Sequence, residues 1–139
     1  MKKVLLISPA WRTKVLEKIK VLALPPLNLG LLARFTPEQY DVTLCDEALQ
    51  DVDFSADADV VGITCMTPLA PRAYEISAKF RARGIPVVIG GIHASMRTDE
   101  VAGHADVVVL GEADEIWPQV LDDLAAGRAR KIYTAARPD

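Results

Sequence analysis

The chain has 139 residues, half of them apolar, with a formal net charge of −3; this fits one domain with one sizeable core and argues against a nucleic-acid surface, which is usually basic. No apolar run approaches the roughly 20 residues of a membrane span. Lys2-Lys3 before Val4-Leu5-Leu6-Ile7 is too short for a signal peptide, since charge resumes at Arg12, so a cytoplasmic protein is expected.

Residues 3–8 read as a first strand, apolar throughout and broken by Ser8-Pro9. Residues 10–23 read as a long functional loop with a short helical stretch, closed by Pro25-Pro26. A helix over 27–35 should follow, with Leu27, Leu31, Leu32 and Phe35 as its buried stripe. Residues 41–45 form a second strand ending at Asp46-Glu47, and 60–64 a third. The clearest helix covers 68–83. Leu69, Ala73, Ile76 and Phe80 line one face, Glu75 and Lys79 make an i, i+4 pair on the other, and Gly84 closes it. A fourth strand at 86–89, a short helix at 95–102, a fifth strand at 107–110 and a last helix at 114–126, capped by Asp114, complete the domain. Residues 1–127 are expected to form the domain and 128–139 a polar tail without a core stripe.

Strands that alternate with helices and are apolar on both faces require a parallel sheet covered on both sides. The expected fold is α/β: a doubly wound, Rossmann-like five-stranded parallel sheet in three layers, order 2-1-3-4-5. Its ligand edge would collect the loops after Ser8, Thr64, Ile89 and Leu110.

The most informative segment on that edge is Val87-Val88-Ile89-Gly90-Gly91-Ile92-His93. Missing Cβ atoms at two successive positions permit close packing against a flat ligand, although glycine pairs also serve as plain turns. Thr64-Cys65-Met66-Thr67 precedes a helix, where its hydroxyls suit either ligand contact or N-capping by Thr67. Cys65 faces the same edge; Cys45 reads as a buried thiol, and neither a disulfide framework nor a zinc site is indicated. His93 has no second histidine at ligand spacing, which favours a hydrogen-bonding role at the pocket rim over a metal ligand, with a solvated loop histidine as the rival. Glu112, after Gly111, suits a ligand amide or the dipole of the next helix. No P-loop, G-x-G-x-x-G or nucleophile elbow occurs, and Ser8-Pro9 and Thr64 stand where a phosphoreceiver would carry aspartates.

Pro25-Pro26-Leu27-Asn28-Leu29-Gly30-Leu31-Leu32-Ala33, Asp46-Glu47, Val61-Gly62-Ile63-Thr64-Cys65-Met66-Thr67, Gly90-Gly91-Ile92-His93-Ala94-Ser95 and Gly111-Glu112-Ala113 fall in order along nearly the whole chain. Together they resemble the N-terminal cobalamin-binding domain of B12-dependent radical SAM proteins, a group that includes relatives of magnesium-protoporphyrin monomethyl ester cyclase. The resemblance implies a flavodoxin-like fold with the corrin on the strand C-terminal edge. Thr64, Met66, Thr67, Gly90 and Gly91 would cradle corrin and nucleotide tail, with Cys65 alongside and His93, Gly111 and Glu112 at the rim.

The wider cobalamin-binding fold carries D-x-H-x-x-G after strand one, where this chain has Ser8-Pro9-Ala10-Trp11-Arg12. The implied state is base-off without a histidine ligand, with Ser8 and Pro9 beneath a weakly ligated cobalt. The C-x-x-x-C-x-x-C motif is absent, so S-adenosylmethionine and a 4Fe-4S cluster would belong to a radical SAM domain outside this chain. The chain thus reads as a cofactor carrier, methyl-transferring or assisting radical chemistry, rather than an enzyme by itself. The alternatives are a cofactor-less interaction module of the same fold and, last, a flavin or nucleotide binder.

Overall fold

The computed structural model describes residues 2–10 and 27–135. The loop expected over 10–23, including Trp11, therefore lies outside the described residues except for Ala10.

Strand β1 (Lys2–Ser8) is followed by helix α1 (Leu27–Phe35), strand β2 (Tyr40–Asp46) and strand β3 (Val60–Thr64). A 3-10 turn (Thr67–Leu69) leads into helix α2 (Ala70–Ala82), then strand β4 (Val87–Gly90). Two short helices, α3 (Ile92–Met96) and α4 (Thr98–Ala102), precede strand β5 (Val107–Leu110), helix α5 (Trp117–Ala125) and strand β6 (Ile132–Thr134). All strand pairings are parallel, in the order β2-β1-β3-β4-β5-β6. The doubly wound parallel sheet is as expected, but it has six strands rather than five. The sixth lies in the segment read as a polar tail: Tyr133 is 1% exposed, and its hydroxyl donates to Asp123 at 2.7 Å.

Alternate strand residues point to opposite faces. Leu5, Ile7, Val61, Ile63 and Ile89 pack with Ala73, Ile76 and Phe80 of α2 and with Ala94 and Val101 of α3 and α4. Val4, Leu6, Val88 and Val109 pack on the other side with Leu29 of α1 and with Trp117, Val120 and Leu121 of α5. Each fully buried side chain of this size contributes about 1.5–3 kcal/mol.

Several local expectations shift. In α1 the buried residue is Leu29, whereas Leu31 and Phe35 are exposed, because the helix is apolar on more than one side and its core face falls on Leu29, Leu32 and Ala33. Glu75 pairs with Arg72 at 3.0 Å rather than with Lys79, whose ammonium lies 4.2 Å from the Phe54 ring centre. The helix expected over 95–102 is two helices that part at Arg97. Asp114 makes no cap: α5 begins at Trp117 without a side-chain cap, with Pro118 in its first turn.

Candidate functional site

The loops at the carboxyl ends of β3, β4 and β5 are stitched together by hydrogen bonds from backbone N–H groups. Cys65 N–H donates to the Gly90 carbonyl at 2.8 Å, and His93 N–H donates to the Cys65 carbonyl at 3.0 Å. Gly111 N–H donates to Ser95 Oγ at 3.1 Å, tying the β5 loop to α3. These bonds form a firm edge from short loops that would otherwise be free.

Beneath that edge a groove of about 510 Å³ runs down the α1/α5 face of the sheet. Thr64, Gly90, Gly91, Gly111 and Glu112 bound its mouth; Gly62, Val88, Val109, Leu32 and Trp117 line its depth. Gly62 lies two residues before Thr64, so the groove reaches roughly 7 Å below the edge at 3.3 Å per residue. The floor exists because Gly62 has no side chain: a Cβ there would meet Leu6 Cδ2 at 2.8 Å and the Trp117 ring at 3.3 Å. Trp117 is fixed in turn by its indole N–H, which donates to Thr36 Oγ1 at 2.9 Å. Leu31, Ile92 and Met96 stand exposed around the mouth.

A second cluster supports the edge from the opposite face. His93 is buried, with Nδ1 3.2 Å from Thr67 Oγ1 and Nε2 2.8 Å from Glu100 Oε2. The Tyr74 hydroxyl donates to the same Glu100 oxygen at 2.6 Å, and the Tyr74 ring stacks on His104 at 3.8 Å. Hydrogen bonds from Tyr74 and then from His93 hold the Glu100 carboxyl below its ordinary pKa. Burial, and then Glu100, push the Cys65 thiol up to about 11. That thiol is neutral at physiological pH and inert as a nucleophile.

A third support lies under the β1 end. Glu47, 4% exposed, accepts from Ala10 N–H at 3.0 Å and from Arg72 Nη2 at 2.6 Å. Its own N–H donates to the Ser8 carbonyl at 3.0 Å. The Glu47 carboxylate raises the Arg72 pKa further above its already high value.

The structure therefore gathers Thr64, Gly90, Gly91, Gly111 and Glu112 around one groove. It does not gather the remaining residues singled out from sequence. Cys65 is fully buried. Met66 is 53% exposed on the β3 loop, away from the groove lining. Thr67 makes no helix cap and turns its hydroxyl to His93. His93, expected at the rim, lies beneath the edge with both ring nitrogens engaged. Ser8 and Pro9 end β1 outside the groove lining. Sequence reasoning did not single out Trp117 or the α1 wall. The available signal was Gly62, since a glycine inside a strand marks a close approach by another group.

A parallel doubly wound sheet with an apolar groove at its strand carboxyl ends, beside the point where strand order reverses, defines a cofactor- or small-ligand-binding domain. A family model described as the B12 binding domain matches residues 18–121. The chain belongs to the B12-binding domain family, and the resemblance read from its sequence and the cobalamin cofactor it implied are both borne out. It is 47% identical over 108 residues to bacteriochlorophyllide d C-8(2)-methyltransferase of Chlorobaculum tepidum, covering 77% of this chain and 24% of that protein. It is 36% identical over 138 residues to bacteriochlorophyllide d C-12(1)-methyltransferase of the same organism, covering 97% of this chain and 30% of that protein. The chain thus spans about a quarter to a third of the length of these curated relatives. Among solved structures it is similar to a cobalamin-dependent S-adenosylmethionine radical enzyme, OxsB, with aqua-cobalamin bound. The TM-score is 0.69 at 13% identity, covering 94% of this chain and 19% of that one, a likeness of fold. No helix among the described residues is long and apolar enough to cross a membrane.

Proposed function

We propose that this domain holds cobalamin base-off, without a histidine ligand, as the cofactor module of a cytoplasmic radical SAM enzyme of methyltransferase or cyclase type. The observation that carries the reading is the groove itself: an apolar slot opening at a glycine-lined strand edge, in a chain of the B12-binding family. Its volume lies within the 300–1,000 Å³ usual for small-molecule sites. Its lining suits the nucleotide tail, and the side-chain-free edge at Gly90 and Gly111 suits a broad, flat ring.

When bound, cobalamin supplies a cobalt centre able to carry a methyl group or to take part in radical chemistry. The chain's own residues do the holding. Thr64 offers a hydroxyl at the mouth, and Glu112 an acceptor for the amide groups of the ring periphery. Leu31, Ile92 and Met96 exclude water around the mouth. Ser8 and Pro9 would help hold the cofactor from the β1 loop, which Glu47 anchors, while Thr67, His93 and Cys65 support the edge from behind.

The absence of a histidine ligand is supported by His93, whose two ring nitrogens already have partners, and by His104, which stacks on Tyr74. S-adenosylmethionine and a 4Fe-4S cluster belong, in this reading, to a further domain of a longer protein. The short coverage of the relatives supports that, as does the presence of only two cysteines, both buried. The cofactor-less alternative expects the groove to be filled by the protein's own side chains; an open 510 Å³ slot speaks against it. Titrating the purified chain with hydroxocobalamin tests the proposal. A shifted corrin absorbance spectrum with saturable binding heat is expected; an unchanged spectrum without heat would sink it.

A further inference from the structure

We infer that helix α3 is a bracket across the groove mouth: His93 holds one lip, Ser95 holds the other, and the helix between them sets the gap. Both are positioning residues, acting on the lips rather than on a ligand. The inference rests on the carrier reading for its use, since there the mouth receives the cofactor. β4 lies between β3 and β5 in the sheet. The helix that follows β4 therefore emerges between the β3 lip at Thr64 and the β5 lip at Gly111 and Glu112.

On the β3 side, one residue grips the loop at two points. His93 N–H donates to the Cys65 carbonyl at 3.0 Å, and its ring Nδ1 lies 3.2 Å from Thr67 Oγ1. The ring is locked from behind, because Nε2 lies 2.8 Å from Glu100 Oε2, which also takes the Tyr74 hydroxyl. A carboxylate only accepts, so Nε2 carries the hydrogen. In the neutral ring Nδ1 is then an acceptor, and the Thr67 hydroxyl donates to it. On the β5 side, Gly111 N–H donates to Ser95 Oγ at 3.1 Å.

Between the two arms, Ala94 is fully buried in the core under α2. α3 has five residues, and a helix that short has little stability of its own. Its place is set by what it grips. Cutting one arm loosens the helix and so loosens the other arm, which two separate hydrogen bonds would not do.

The test cuts the arms singly and together in the full chain. Thr67→Val removes the hydroxyl that His93 receives, and Ser95→Ala removes the oxygen that Gly111 meets; both residues are exposed, so neither change empties the core. Amide hydrogen exchange without ligand reads the uncut arm. Thr67→Val is expected to speed exchange at Gly111 N–H, and Ser95→Ala at His93 N–H, by about three- to tenfold, the worth of one net hydrogen bond. Thr67→Ser and Ser95→Thr keep the hydroxyls and should restore the native rates. Hydroxocobalamin titration gives the second readout. Each cut should weaken binding by about three- to tenfold. The double variant should match the poorer single one within about twofold, whereas independent sites would multiply their losses. Exchange that changes only at the cut arm, or losses that multiply, overturns the bracket while leaving the carrier reading intact. Coupled exchange in a native chain that binds no hydroxocobalamin supports the bracket and overturns the carrier reading.

Discussion

Gly91 and Cys65 share backbone space: a Cβ on Gly91 would lie 2.8 Å from the Cys65 carbonyl oxygen and 2.9 Å from its nitrogen. Gly91 also adopts φ +103° and ψ −177°, a region only glycine enters readily. The glycine pair therefore divides its work. Gly91 lets the β3 and β4 loops lock together through the Cys65 hydrogen bonds, and Gly90 brings no side chain to the groove mouth.

Gly91→Ala should accordingly cost more than its size suggests. Backbone strain contributes about 1–3 kcal/mol and overlap with Cys65 a similar amount. Urea unfolding is expected to show a loss of at least about 2 kcal/mol. Gly30→Ala, with nothing within 4 Å of the new Cβ, should instead stabilise α1 by about 0.8–1 kcal/mol. A neutral Gly91→Ala would mean that the two loops do not depend on this close approach.

Trp117 holds the groove floor through Thr36, whose hydroxyl accepts from the indole at 2.9 Å and donates to the Leu32 carbonyl at 2.6 Å. Thr36→Val keeps the shape but strands the indole N–H, at a cost of about 1–3 kcal/mol. Thr36→Ser keeps both bonds and should lose much less. Thermal unfolding of the two variants side by side checks this.

Glu47→Gln weakens the clamp on the β1 loop and leaves Arg72 with Glu75 as its carboxylate partner. A loss of about 1.5–3 kcal/mol is expected. It falls short of the about 3–5 kcal/mol of a fully buried pair, because the Arg72 side chain keeps 20% exposure. Since the Glu47 carboxylate accepts from Ala10 N–H beside Ser8-Pro9, cobalamin affinity should fall as well, read from hydroxocobalamin titration followed by corrin absorbance.

Glu100 gives a pH signature. Its folded-state pKa is depressed, first by Tyr74 and then by His93, so the carboxylate stabilises the fold above its unfolded pKa of about 4.3. That contribution drains away as pH falls through the lower folded-state value. The Tm gap between the native chain and Glu100→Gln should hold steady above about pH 5 and close on further acidification. A gap that widened in acid would mean the shift has the opposite sign.

Much of the scaffold could be read before any coordinates. β1, β3, β4 and β5 are continuous apolar runs, as strands buried on both faces must be. β6 escaped because Ile132-Tyr133-Thr134 is three residues beside Arg130 and Lys131, and only Tyr133 is buried. The groove mouth was legible from glycines and hydroxyls that follow strands. Its depth was not, because α1 is apolar around much of its circumference, so spacing could not decide whether Leu29 or Leu31 met the core. The place of His93 depends on Glu100, seven residues on, across the break at Arg97 between two short helices. No local pattern announces such a pairing.

Electron paramagnetic resonance of the chain loaded with cob(II)alamin reads directly how cobalt is held. A lower nitrogen ligand splits the high-field cobalt lines into triplets. With His93 engaged by Thr67 and Glu100, and no histidine in the segment 9–26 that follows β1, those lines should stay unsplit beyond the cobalt pattern. Triplets that turn to doublets on uniform 15N labelling of the protein would put a histidine on cobalt and overturn the base-off, histidine-free reading.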